Sequence, residues 1–251
     1  MDRPVFDSAC SACRAFTAAG GQLWLSAEVQ AIHVGNGQVT GATVCRADGE
    51  QGAVTAQVVV SDAGPAATIR LIGPDQLPPE YLTAVKARDR PCAMITVNFA
   101  SRDRLMEAPG LLSFASTRRL CYAANFTDVC PEMAPRGWHL YAGTAVPRPS
   151  VGDFDTAAET DLLMADLQAE LPGFEKARIL STVVTRDDWP PQRAVAGYDL
   201  PPSTPIPNLW NVGDGVKEYA NGGTTACAET AHLVATAIMS QFPAESGRAA
   251  G

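Results

Sequence analysis

Long apolar runs are missing from this sequence. None reaches the roughly 18 to 20 residues that a membrane span requires, and the amino-terminal residues do not form a basic-then-apolar signal segment. The expectation is a cytoplasmic protein, with peripheral contact with a membrane left open. Positive charge is also scarce. The 19 Lys and Arg are outnumbered by 27 Asp and Glu, giving a net charge of −8 with no dense basic cluster. Such a surface repels a phosphate backbone, so nucleic acid is set aside as a partner. An anionic cofactor is not excluded in the same way, because main-chain amides at helix starts hold phosphates without basic side chains.

Chemically reactive patterns are equally thin. The three histidines, His33, His139 and His232, lie far apart and show no ligand spacing. No Gly-x-Ser-x-Gly elbow or Ser/His/Asp arrangement is visible. The seven cysteines are odd in number and scattered, which suits a reducing compartment better than a disulfide framework. Cys10 and Cys13 form a Cys-x-x-Cys without a second pair, a nearby histidine or a preceding strand. They read as two small residues on a helix face rather than as a metal or redox site. What is abundant is apolar surface. With 46% hydrophobic and 18% charged residues over 251 positions, the chain has the composition of a globular protein of one large or two small domains.

Periodicity places a helix over residues 5–19, ended by Gly20-Gly21, and a short strand over 22–25. Alternation around Gly35-Asn36-Gly37 predicts a hairpin of strands 28–34 and 38–45, since Asn-Gly favours the tight turn. A strand over 54–61 carries Val58, Val59 and Val60, a run suited to burial on both faces. A short helix over 66–71 follows, and Pro74, Pro78 and Pro79 break the chain. Strands over 92–100, 111–115, 119–125 and 139–146 are expected to share one antiparallel sheet. A helix over 155–171 is read with Glu159, Asp161, Asp166 and Glu170 outward and Leu162, Leu163, Ala165, Leu167 and Leu171 inward, and Pro172-Gly173 ends it. A strand over 178–185 precedes the proline-rich stretch 189–207. There Trp189, Arg193 and Tyr198 suit ordinary packing or the wall of a substrate channel.

The most informative stretch is 208–238, NLWNVGDGVKEYANGGTTACAETAHLVATAI. It reads as a short buried strand, a turn carrying a carboxylate, a glycine-relaxed loop and a helix of small residues. Gly213 and Gly215 allow a ligand close to the backbone, and Asp214 is placed to accept hydrogen bonds from a sugar-like hydroxyl chain. Gly222-Gly223 would bring the amides of Thr224, Thr225 and Ala226 onto electronegative ligand atoms, aided by the helix dipole. Lys217, Glu218 and Tyr219 lie in the intervening loop. They read either as solvated or as bordering such a ligand.

This segment resembles the carboxy-terminal flavin-binding motif of phytoene desaturases, related carotenoid and retinol oxidoreductases, and amine oxidases. The stretch GGQLWLSAEVQAIHVGNGQVTGATV followed by VVVSDAGP is similar to that family's meander and following strand. The resemblance implies FAD as cofactor, with Asp214 at the ribityl or phosphate region. Gly213, Gly222 and Gly223 shape the turn, and the amides of Thr224 and Thr225 face the flavin ring. It also implies that the backbone of Val29 pairs with the adenine edge. The family's Gly-x-Gly-x-x-Gly loop, which cradles the pyrophosphate, is absent. Either a second chain carrying that amino-terminal half is the partner, or the sequence is a truncated product.

The expected fold is α/β. Residues 1–65 and 205–243 form discontinuous parts of a Rossmann-like FAD/NAD(P)-binding domain, 66–204 an α+β substrate domain on an antiparallel sheet, and 244–251 a flexible tail. The implied reaction is hydride exchange between flavin and a C–C or C–N bond. The apolar Met94, Ile95, Val97, Phe99 and Phe114 suit a hydrophobic small-molecule substrate or a core equally well. The alternatives are a non-catalytic binding or scaffold subunit that kept the fold, or a truncated remnant.

Overall fold

The computed structural model describes residues 7–186, 199–217 and 223–243. In chain order the elements are α1 (Asp7–Ala18), β1 (Glu28–Gly35), β2 (Gln38–Cys45), β3 (Gln51–Thr55), β4 (Val59–Ser61), α2 (Pro65–Ile72), α3 (Pro79–Arg88), β5 (Met94–Ser101), β6 (Gly110–Ser113), β7 (Leu120–Asn125), β8 (His139–Ala145), α4 (Thr156–Glu170), β9 (Arg178–Thr185), β10 (Leu209–Asn211) and α5 (Gly223–Gln241). They form two compact units, one of residues 24–91 and 191–251, the other of 1–23 and 92–190. Among the described residues no helix is long and apolar enough to cross a membrane.

The first unit is assembled from two distant stretches of chain. β1, β2 and β3 form an antiparallel meander, and Asn36 and Gly37 both take positive φ at the hairpin, as an Asn-Gly turn requires. β4 and β10 form a separate two-stranded parallel pair. Ile32, Val39, Leu77, Ile206 and Leu209 are buried together against Val59, Ile69 and Tyr81, so α2 and α3 pack into this unit although the sequence reading put 66–91 in the middle segment.

Three expectations are corrected here. Residues 22–25 form no strand, because no ladder partner lies beside them among the described residues; instead the Arg46 guanidinium sits 4.8 Å above the Trp24 ring. Residues 54–61 divide into β3 and β4, and Val60 is 46% exposed rather than buried, because the parallel sheet has only two strands among the described residues. Pro79 opens a ten-residue helix instead of breaking the chain, since a first-turn proline lacks only an amide that has no intrahelical partner.

The second unit is a five-stranded antiparallel sheet in the order β6-β7-β8-β5-β9. Ile95, Val97, Phe99, Tyr141 and Ala145 line one face, and Leu163, Leu167 and Leu171 of the α4 segment pack into the same core. Gly143 allows the close approach, for a Cβ there would stand 2.5 Å from Leu167 Cδ2. Phe99 stacks on Tyr141 at 5.3 Å and meets Phe174 edge-on at 4.9 Å. The middle-strand residues Ile95, Val97 and Phe99 thus belong to the core.

Asp155 caps α4 by accepting from the Ala158 amide at 3.1 Å, as an aspartate before a helical period does. Gly20 and Gly21 close α1 through bonds to Thr17 O and Phe16 O, the paired bonds of a glycine-terminated helix. One reading of α4 fails. Glu159 and Asp166 face inward and are only 6% and 4% exposed, while Ala165 is exposed. Arginines from another segment reach these two carboxylates and make their burial tolerable.

Candidate functional site

The site begins where β4 and β10 end side by side. Their parallel register sets Ser61 against Asn211, and the Val212 amide donates to Ser61 O at 2.9 Å. Buried Thr68 stands between the strand ends, its Oγ1 2.8 Å from Ser61 Oγ, 2.7 Å from Asn211 Oδ1 and 3.0 Å from Gly64 O. The Tyr81 phenol lies against Asn211. Burial pushes its pKa up, and the Asn211 amide opposes that shift. Both strand tips are therefore pinned by side chains, and the turn after β10 starts from a rigid base.

Gly213 continues with φ +98, a conformation that disfavours any side chain. Its amide donates to Thr230 Oγ1 at 2.9 Å, and Thr230 in turn donates to Ala226 O at 2.8 Å, tying the turn to the first turns of α5. A Cβ at Gly213 would fall 2.2 Å from Asp62 Oδ1, so the missing side chain leaves room for that carboxylate. Asp214 Oδ1 accepts the Gly223 amide at 3.1 Å and thereby caps α5 from outside the helix.

Lys217 turns inward and is only 4% exposed. Its Nζ donates to Asp214 O at 2.6 Å and lies 3.3 Å from Asp214 Oδ1 and 3.1 Å from Asp199 Oδ1. The Asp199 contact is an ion pair rather than a directed hydrogen bond, since Oδ1 has no bonded donor among the described residues. On the other side of Asp214, Oδ2 is buried and accepts no hydrogen bond from the described residues. Cys227 sits nearby, its pKa raised by burial and then by the charges of Asp62 and Asp214, which keeps it a thiol rather than a nucleophile.

No protein-family model matches the chain. An oxidoreductase of Methanosarcina mazei superposes with a TM-score of 0.77 at 28% identity, over 89% of this chain and 52% of that one. The chain has an oxidoreductase fold. A geranylgeranyl bacteriochlorophyll reductase-like protein of Thermoplasma acidophilum shares it, with a TM-score of 0.60 and 18% identity over 94% of this chain and 54% of its own. An uncharacterised protein of Methanocaldococcus jannaschii is 26% identical over 165 residues, 64% of this chain and 37% of that protein. The chain thus spans about half the length of these solved structures and little more than a third of the curated relative. Its architecture is mixed α/β, a discontinuous Rossmann-like part joined to an antiparallel-sheet part.

On this oxidoreductase fold Gly213, Asp214, Gly223 and Thr225 come together at the connection from β10 to α5. Thr224 is in the first turn of α5. Gly222, Glu218, Tyr219, Trp189, Arg193 and Tyr198 lie outside the described residues. Val29 is exposed on β1, an edge strand of the meander, paired with Val44 beside a register shift. Lys217 is neither solvated nor at the loop surface. The sequence reading missed Asp62, Thr68, Asp199 and Thr230. Only Lys217, three residues after Asp214, carried a local signal; the others reach the turn through space.

Proposed function

We propose that this chain is the flavin-ring half of an FAD-dependent oxidoreductase of the phytoene desaturase and amine oxidase type. The observation that carries the reading is Asp214 Oδ2, a buried acceptor without a donor among the described residues, just beyond a parallel strand pair. A buried orphan oxygen costs on the order of 1–3 kcal/mol, and a ligand hydroxyl would relieve that cost. A phosphate brings acceptors only and would add like charge, so the ribityl chain fits Asp214 better than the pyrophosphate does. Lys217 and the Gly223 amide hold the other carboxylate oxygen and keep Oδ2 turned to the ligand. Because Gly223 is spent on Asp214, the amides left to face an electron-rich ring edge are those of Thr224 and Thr225, at the positive end of α5.

Bound FAD supplies hydride exchange with a C–C or C–N bond of the substrate; the protein supplies orientation and exclusion of water. Val29, on its edge strand, takes the adenine. The pyrophosphate loop belongs to a Gly-x-Gly-x-x-Gly-bearing half outside these 251 residues, which extends the parallel pair β4–β10 and covers Val60. One observation supports this: parallel sheets are ordinarily buried on both faces, and this one has two strands and an exposed Val60 among the described residues. A hydrophobic small-molecule substrate is supported by a cavity of about 260 Å³ lined by Met133, Pro135, Trp138, Leu140 and Leu180.

The test is co-purification with the Gly-x-Gly-x-x-Gly half, followed by a visible absorption spectrum. A yellow complex is expected, and Asp214→Ala should weaken flavin retention about tenfold or more, the loss of one hydrogen bond to a charged acceptor. A folded but colourless complex would overturn the reading.

A further inference from the structure

The two buried carboxylates of α4 organise a second site, in the antiparallel-sheet unit. Burying Glu159 and Asp166 is costly, and apolar residues of similar volume would stabilise a core as well or better. Their bonds are all directed to one place. Asp166 accepts from Arg118 Nε at 2.9 Å and from the amides of Arg119 and Leu120 at 2.6 and 3.1 Å. Glu159 holds Arg119 through Nη2 at 2.8 Å and through Nε, and accepts the Arg148 amide at 3.1 Å. Together they fix the turn before β7 and the chain leaving β8.

Between these two stretches lies a cavity of about 430 Å³, lined among others by Thr117, Arg118, Arg119, Arg148 and Ser150. Three guanidiniums meet two carboxylates there, leaving one positive charge in excess in a chain whose net charge is −8. The donors are unevenly used. Arg119 is consumed by Glu159 and by Arg118 O. Arg118 spends only Nε on Asp166, and its side chain is 57% exposed, so neither Nη group has a partner among the described residues. The Arg148 guanidinium has no hydrogen-bonding or ion-pair partner among the described residues, although its charge acts on Glu159.

We propose that this cavity binds a small oxyanion, a carboxylate or phosphate group. The open Nη fork of Arg118 and the guanidinium of Arg148 grip it, while Asp166 and Glu159 hold the arginine-bearing segments in place. A guanidinium anchored through Nε by a buried carboxylate keeps its planar fork pre-organised for two parallel bonds to an anion. The site requires no cofactor and stands independently of the flavin reading.

Arg148→Gln is the discriminating variant, because that side chain makes no hydrogen bond or ion pair among the described residues and acts on Glu159 only through its charge, so the fold should nearly keep its melting temperature. Calorimetric titration of the full chain with inorganic phosphate and, separately, malonate, at matched ionic strength, should give saturable binding of at least one probe. Arg148→Gln should weaken it about tenfold or more, and Arg148→Lys should restore part of the affinity. Preference for phosphate or for malonate identifies the anion class. Failure of both probes to saturate at millimolar concentration would overturn the proposal. So would equal affinity in a folded Arg148→Gln variant.

Discussion

Replacing Lys217 by Met leaves two buried carboxylates facing each other without their cation. The ammonium lies 3.1 Å from Asp199 Oδ1 and 3.3 Å from Asp214 Oδ1, and it also donates to Asp214 O. At an effective dielectric near 20, each contact of this length is worth about 5 kcal/mol of Coulomb attraction. Desolvation of all three groups offsets much of that. Removing one member of a buried pair costs about 3–5 kcal/mol, because the abandoned charge stays inside. That is a large part of the 5–15 kcal/mol typical of a whole domain. Equilibrium urea denaturation of Lys217→Met should therefore show a loss of about 3–5 kcal/mol. Adding Asp199→Asn should recover at least about 1 kcal/mol, because it removes one of the two stranded charges. A loss below about 1 kcal/mol, or no recovery in the double variant, would show that water reaches Lys217 and that the buried triad described here does not exist.

Gly143→Ala should destabilise the sheet unit by about 1–3 kcal/mol, since its methyl group would enter the space of fully buried Leu167; thermal melts should show partial relief in Gly143→Ala/Leu167→Val. Acid should weaken the same unit through Glu159 and Asp166. The Arg119 hydrogen bonds hold Glu159 below the usual carboxylate range; burial pushes Asp166 up, but the Arg119 and Leu120 amides and Arg118 together carry it below. Lowered folded-state pKa values contribute stability that is fully present above the unfolded values near pH 4 and is lost as pH falls through the folded ones. Glu159→Gln, measured by acid titration of circular dichroism, should lose less stability than the parent as the pH falls below about 4.

Local chemistry made much of this fold legible. Asp155 before a helical period, Pro172-Gly173 after it, Asn36-Gly37 between alternating strands, and Gly213-Asp214 between a strand and an alanine-rich helix each announce a backbone geometry without help from elsewhere. The misreadings share one cause. Glu159 and Asp166 look like solvent-facing charges because Arg119 and Arg118 lie 40 and 48 residues away. Val60 reads as sheet interior because the sequence cannot count the strands beside it. At the candidate site Asp214 was legible as an acceptor, but the direction of its two oxygens was not. That direction depends on Lys217, Gly223 and the return of the chain at Asp199.

The bond between Thr68 and Asn211 spans 143 residues of chain. Closing so long a loop is slow, because its entropy is lost before any contact rewards it. The sheet unit lies largely within that loop, and almost all of it is contiguous, so it can assemble while the chain is still being made. Ser61 and Thr68, by contrast, must wait for Asn211 to be synthesised. The turn carrying Asp214 therefore takes its place late, after the strand that precedes it has been made, and α2 spends that interval without the partner that Asn211 provides.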